Sequence, residues 1–450
     1  MPKQIRIGTG AGYSGDRIVP AVKLAEFGDL DYLVFECLAE RTIALAQQRK
    51  LSDPSKGYDP LLEKRMRKIL GPCAENKTRI ITNMGAANPE AAYAKVVELI
   101  EEMDLAHQKV GLVTGDDILE YLEAEDFPLS KGREKILANR DKIISANAYL
   151  GAEPIIRLLK EKADIIITGR SCDSSLFLAP MMFGFEMKED EIERIGKGIA
   201  VAHLMECGAQ VTGGYFADPG YKDVSGLADL GFPIAEVNVN GDAVITKLSD
   251  SGGEVSLRTV KEQLLYEVHD PANYITADGI ADFTKIRLEE IGKNRVKVSG
   301  GGGKTQPNEL KVSIGFNNGF IGEAQISYGG EGAEKRAKLA AQILMERLRI
   351  LNLKFEGLRF DFIGAGSLWP GGSPSHIPKE IRLRVVGRTK TRHDAEGLCN
   401  EVEALYTNGP AGGGGVSRKV KENIAIVSSF IPREKVIPQT KTLEVENGSG

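Results

Sequence analysis

Carboxylates and carboxamides recur in this sequence at the ends of short apolar runs. Glu36 closes Asp31-Tyr-Leu-Val-Phe-Glu36 and Asn83 closes Arg79-Ile-Ile-Thr-Asn83. Asp116 and Asp117 follow Lys109 to Thr114, Asn147 follows Lys142-Ile-Ile-Ser-Ala146, and Arg170 and Asp173 follow Ala163-Asp-Ile-Ile-Ile-Thr168. Asp16 and Arg17 come directly after the glycine-rich Gly8-Thr-Gly-Ala-Gly-Tyr-Ser-Gly15. Side chains of these types suit general acid/base chemistry on a polarised carbonyl. Asp16 is the first choice for the group that moves a proton and Glu36 the second, with Asp116 and Asp173 as further catalytic candidates. Arg170 is expected to hold a substrate carboxylate through its planar fork. Arg17, Asn83 and Asn147 are expected to bind substrate too. Gly302 and Lys304, in Ser299-Gly-Gly-Gly-Gly-Lys304-Thr305, would add a nest for a phosphate or carboxylate.

Each candidate has a plainer reading beside it. Asp16 reads equally as a helix cap, and Asn83 and Asn147 as residues satisfying local turns. Gly10-x-Gly12-x-x-Gly15 with Glu36 about 20 residues on matches a dinucleotide fingerprint, so NAD-dependent oxidoreduction stays open. Against it, Asp16 would compete with a pyrophosphate for the donors at the helix N-terminus. Ser171, Cys172 or Ser174 would offer a nucleophile, but no histidine lies near them in sequence to activate it. His203 reads first as a core histidine bonded to backbone, with Glu206 three residues on as the alternative that turns it toward a site.

The elements that would position these residues follow from periodicity. Gln4 to Glu36 reads as strand, glycine loop, helix and strand, the opening of a doubly wound, mostly parallel sheet whose crevice lies at the carboxyl ends of the strands. Five or six apolar strands, each followed by a helix, continue the pattern to about residue 175. Near 215 the texture changes to short alternating runs and glycine turns. From Leu310 the order strand, helix, strand, strand, helix, strand is that of a ferredoxin-like βαββαβ unit. The reading is α/β, with residues 1–215 forming the doubly wound domain, 216–440 an α+β domain with glycine-rich loops, and a site between them.

Composition narrows the partners. The 450 residues carry a net charge of −5 and no long Lys/Arg run, which argues against nucleic acid. No apolar window is long enough to span a membrane and the first residues do not resemble a signal peptide, so the expected place is the cytoplasm. Five scattered cysteines form no CxxC and no Cys/His cluster, which points to a reducing compartment and to no metal site. Glycine is unusually common at 51 residues, as expected where backbone approaches ligand at many turns.

Several strings together resemble one family. Gly15-Asp16-Arg17, Gly28 to Glu36, Thr82-Asn-Met-Gly-Ala-Ala-Asn-Pro89, Ala146-Asn-Ala-Tyr-Leu-Gly-Ala152, Ile167-Thr-Gly-Arg170 to Asp173 and Thr407-Asn-Gly-Pro-Ala-Gly-Gly-Gly414 are similar to motifs of the acyclic terpene utilisation (AtuA) family, over nearly the whole chain. The resemblance implies a role in degrading branched terpene acids or other organic acids as coenzyme A thioesters. Joined to the carboxylate-rich crevice, it gives the expectation of a lyase, either a hydratase/dehydratase or a C–C lyase. The alternative is a non-catalytic organising subunit of such an enzyme complex. No cofactor is expected, coenzyme A entering only as part of the substrate. Longer members resembling this chain carry a C-terminal ferredoxin-fold domain with a Ser-Gly-Asp-Lys-Gly type loop. Its lack here implies a separate small ferredoxin-fold subunit and a homo- or hetero-oligomer.

Overall fold

The computed structural model describes residues 2–105, 107–123, 133–368 and 378–446. Along the chain the strands are β1 Gln4–Ala11, β2 Tyr32–Phe35, β3 Arg79–Thr82, β4 Lys109–Thr114, β5 Ile143–Ala148, β6 Ile165–Thr168, β7 Pro233–Asn238, β8 Ala243–Lys247, β9 Tyr274–Ile275, β10 Ile280–Gly292, β11 Arg295–Lys304, β12 Glu309–Gly329, β13 Gly357–Ile363, β14 Glu380–Thr389, β15 Gly413–Pro432 and β16 Gln439–Glu444. They fall in two compact units, Met1–Gly315 with Ile426–Gly450, and Phe316–Ala425.

The first unit is built on an 11-stranded sheet in the order β16-β4-β6-β3-β2-β1-β7-β8-β11-β10-β9. The run β4-β6-β3-β2-β1 is parallel. Its strands are apolar without alternation because both faces are covered. Leu33 and Phe35 join a cluster with the Val19–Phe27, Leu62–Asn76 and Pro89–Glu102 helices. Val34 between them faces the other way and is equally buried. The Pro89–Glu102 helix starts as its sequence suggests, with Asn88 accepting the Ala91 N–H at 3.4 Å and Pro89 at the first turn. No helix among the described residues is long and apolar enough to cross a membrane.

Two features differ from the sequence reading. The run expected as the fifth parallel strand, β5, lies outside the large sheet and pairs with β12 instead; it reaches the site through bridges, Asp117 to Asn147 and, just after it, Leu150 to Ser171, and through the Asn147 side chain. The sheet also continues past residue 215, because β7 returns antiparallel along β1 and β8, β11, β10 and β9 follow on.

In the second unit the chain order is strand, the Ala333–Ile350 helix, β13, β14, the Arg392–Asn408 helix and β15. The sheet order is β13-β14-β12-β15, with β14 antiparallel to both β12 and β13. Ala337, Ala340, Ala341, Leu344 and Leu348 recur at helical spacing and bury against Ile326, Leu383 and Val385. Alanines on that face let the helix backbone lie close to the sheet.

Candidate functional site

Parallel strands that share a register end at one edge, and the residues just past those ends meet there. Glu36 follows β2 and Asn83 follows β3, and Asn83 Nδ2 donates to Glu36 Oε1 at 2.9 Å. The same Glu36 oxygen accepts the Leu38 N–H at 2.8 Å, while Asn83 Oδ1 accepts the Cys37 N–H at 2.7 Å. Past β4, Asp116 Oδ2 accepts from Asn147 Nδ2 at 2.9 Å and from the Arg170 N–H at 2.8 Å. Residue 169 must be glycine for this contact, since a Cβ there would stand 2.7 Å from Asp116 Oδ2.

Arg170, just past β6, is fully buried. Its guanidinium donates to the Leu38 carbonyl, to the Ser171 carbonyl at 2.6 and 2.9 Å, and to Asp173 Oδ1. It also lies 4.3 Å from the centroid of the Tyr149 ring. The fork expected to bind a substrate carboxylate is thus engaged within the protein, holding Asp173 at the start of the Asp173–Gly184 helix. Beyond Tyr149, the phenol and Lys311 Nζ both donate to Glu40 Oε1 at 2.8 Å.

Burial, with the charges and hydrogen bonds around each group, displaces the titrations of these carboxyls. Burial pushes Asp116 up to about 7, with the Asp117 charge adding and the bonds from Arg170 N–H and Asn147 opposing. Asp173 rises to about 6, by burial first and the Glu206 charge as well, against Arg170. Its side chain keeps 41% of its surface open, so solvent moderates that rise. Glu36 is raised well above the usual carboxylate range, by burial and then by the Asp173 charge. Glu36 and Asp173 therefore resist ionising together, as two carboxyls beside one cation do. Glu40 runs the other way: burial raises it, but the bond and charge of Lys311 and the Tyr149 bond more than offset this and bring it to about 2. Burial also pushes the Cys172 thiol up, which disfavours the thiolate a nucleophile needs.

The remaining sequence candidates lie elsewhere or serve the frame. Asp16 accepts the Gly12 N–H at 3.0 Å and the Arg17 N–H at 2.8 Å, closing the glycine loop on itself. It does not cap the helix, which begins at Val19 after Ile18 with no side-chain cap. The buried Arg65, paired with Asp59 at 3.4 Å, fastens the same loop through the Ser14 carbonyl at 2.9 Å. A Cβ on Gly12 would come 2.6 Å from the Cys207 carbonyl oxygen, so this glycine serves helix-to-strand packing. Its N–H, which a pyrophosphate would need, is already taken by Asp16. Arg17 donates to the Leu227 and Ala228 carbonyls, both at 3.0 Å. Gly302 and Lys304 belong to the paired strand β11, opposite Asp282 and Ile280, and Lys304 Nζ donates to Asn273 Oδ1 at 2.5 Å.

One constellation was only half legible in the sequence, which offered His203 with Glu206 as the alternative to a core histidine but none of the residues that meet them from later elements. At the end of the Ile192–Glu206 helix, His203 Nδ1 lies 2.9 Å from Glu206 Oε1, bonded to a carboxylate rather than to backbone. Tyr274 Oη lies 3.2 Å from the same nitrogen, and the Tyr274 and Phe283 rings pack against the imidazole at 4.9 and 5.6 Å between centroids. The Glu206 charge reaches both Asp173 and Tyr274, which joins this group to the strand-end cluster. Its i, i+3 spacing was the available signal; the partner Tyr274 comes from a strand 68 residues further on than Glu206.

A cavity of about 860 Å³ lies at the opposite end of the parallel strands, lined by Asp31, Tyr32, Arg79, Phe183 and Met187 among others. It holds none of the perturbed carboxyls, so chemistry rather than volume marks the site.

No curated protein and no solved structure matches the chain. A family model described as acyclic terpene utilisation family protein AtuA matches residues 5–442, nearly the whole length, and the chain belongs to that family.

Proposed function

We propose that this protein is a lyase, adding or removing water or splitting a C–C bond beside the acyl carbonyl of an organic acid or its coenzyme A thioester, in the breakdown of terpene-like or other branched acids. The observation that carries the reading is Asp173: a partly open carboxyl raised to about 6, held by a buried arginine and beside a second carboxyl, Glu36, that resists ionising with it. A group that titrates near neutrality can both accept and return a proton, which elimination and its reversal require. Arg170 keeps its charge through the cycle and steadies negative charge developing at the substrate carbonyl, acting through position rather than by clamping a carboxylate. Asn83 and Asn147 orient Glu36 and Asp116. The chain order and sheet order of the second unit fit a split βαββαβ arrangement, which this reading leaves outside the chemistry.

The test is turnover of a panel of hydroxyacyl thioesters and free hydroxy acids by the purified protein and by Asp173→Asn. The expected result is that at least one member is turned over and that the variant is slower by about 100-fold or more. A wild type inert toward the whole panel would return the organising-subunit reading. Calorimetry with NAD checks the oxidoreductase alternative, and no binding is expected because Asp16 holds the Gly12 donor.

A further inference from the structure

Three buried polar atoms near the end of the Ile192–Glu206 helix have no partner within the protein: His203 Nε2, Glu206 Oε2 and Gln263 Oε1. They belong to one bonded group, since His203 Nδ1 meets Glu206 Oε1 at 2.9 Å and Gln263 Nε2 donates to the His203 carbonyl at 3.3 Å. His203 is 1% exposed, Glu206 9% and Gln263 2%. Buried polar atoms left unpaired are costly, and a group of them in a native fold calls for an explanation by ligand or chemistry.

Their character is uniform. The carboxylate beside Nδ1 favours the tautomer with the proton on Nδ1, which leaves a lone pair on Nε2. Glu206 Oε2 and Gln263 Oε1 are acceptors by nature. A buried acceptor without a donor fits a donor-bearing group such as a hydroxyl or a water. The Tyr274 and Phe283 rings wall the imidazole with apolar surface, where a hydrogen bond gains strength.

We propose that His203, Glu206 and Gln263 form the subsite for a hydroxyl group, the one lost from or added to the substrate as water, with His203 Nε2 as the base that takes its proton and Glu206 as the positioning residue that fixes the imidazole. The inference rests on the lyase reading above and specifies its substrate class as a hydroxyacyl compound and its unsaturated partner. In the hydrating direction a water O–H bond breaks and the proton goes to Nε2 while the oxygen bonds to the β-carbon. The π pair of the C=C bond moves to the α-carbon, which takes a proton from Asp173, the proton-moving carboxyl of the lyase reading. In the dehydrating direction each step runs backward; in either direction the proton gained by one residue and the proton lost by the other are exchanged with solvent before the next turnover, so atoms and charge balance.

Two measurements on the wild-type protein test this. Long-range ¹H–¹⁵N spectra of protein labelled at its five histidines give the tautomer of His203, assigned with His203→Gln or by replacing the other four. The expected species at pH 8 has its proton on Nδ1, and Glu206→Gln shifts the tautomer balance. Calorimetry then compares 3-hydroxybutyryl-CoA with butyryl-CoA, with about a tenfold or greater preference for the hydroxyl compound expected and its loss expected in His203→Gln. A proton on Nε2 overturns the inference whatever the ligands do. Equal affinity for the two thioesters also overturns it while the lyase reading stands, whereas a wild type that binds neither overturns the thioester reading itself.

Discussion

At the scale of the residue, the site is a problem in where protons sit. Asp116 carries a clear consequence for stability. Its carboxyl titrates near 3.8 when free and at about 7 in the fold, so the folded state holds the proton more tightly than the unfolded chain does. The stability it contributes is complete below about 4, drains as the pH rises through about 7 and stays low beyond. A displacement of that size corresponds to about 4 kcal/mol as an order of magnitude. Asp116→Asn, whose amide oxygen still accepts from Asn147 and the Arg170 N–H, should therefore flatten the loss. Urea midpoints at pH 5 and pH 8 check this, and a wild type as stable at pH 8 as at pH 5 would contradict it. Arg170→Met removes the cation and leaves Asp173 and Glu36 facing each other with the Leu38 and Ser171 carbonyls undonated. Breaking a buried pair from one side costs about 3–5 kcal/mol, so this variant should melt well below wild type.

At the scale of the element, glycines set how closely helix and sheet approach. The Ile192–Glu206 helix, which carries His203 and Glu206, crosses β11 where Gly196 faces Gly302 and Gly303. A Cβ on Gly196 would fall within 2.6 Å of the Gly303 Cα and closer still to the Gly302 carbonyl oxygen, backbone atoms that cannot turn aside. Gly196→Ala should thus cost about 1–3 kcal/mol by overpacking, although alanine is the better helix former. Chemical denaturation reads the loss; an unchanged or raised midpoint would show that the contact yields. The same crossing explains why the Ser299 to Thr305 glycines form a strand: they are small so that a helix can lie on them.

At the scale of the whole molecule, residues 316–425 have their own core of Ala337, Leu344, Leu383, Val385, Leu398 and Val402 and form a separate compact unit. About 100 residues with one contiguous core suffice for independent folding. Expressed alone, this segment should show helix and strand by circular dichroism and melt cooperatively. A featureless melt would mean that its core is insufficient without the rest of the chain.

Local pattern determined much of this protein. Uninterrupted runs such as Ile165 to Thr168 can only be strands buried on both faces, and a polar residue after each such run must emerge at the carboxyl edge, which is why Glu36, Asn83, Asp116 and Arg170 were legible as a group. The order of elements after residue 310 was legible for the same reason. What each side chain does at that edge was decided by partners far away in sequence. Asp16 turns to Gly12 because its loop is fastened by Arg65, and Arg170 turns to Leu38, Ser171 and Asp173 because a fully buried guanidinium must find its acceptors within the fold. β5 left the parallel sheet for β12, a pairing that no local periodicity encodes. His203 looked like a core residue because its helix face is apolar; only the folded contacts with Glu206 and with Tyr274 from a later strand reveal that Nδ1 is the engaged nitrogen. Burial and backbone direction are set by nearest neighbours along the chain, whereas hydrogen-bond partners and pKa values depend on groups that meet only after folding.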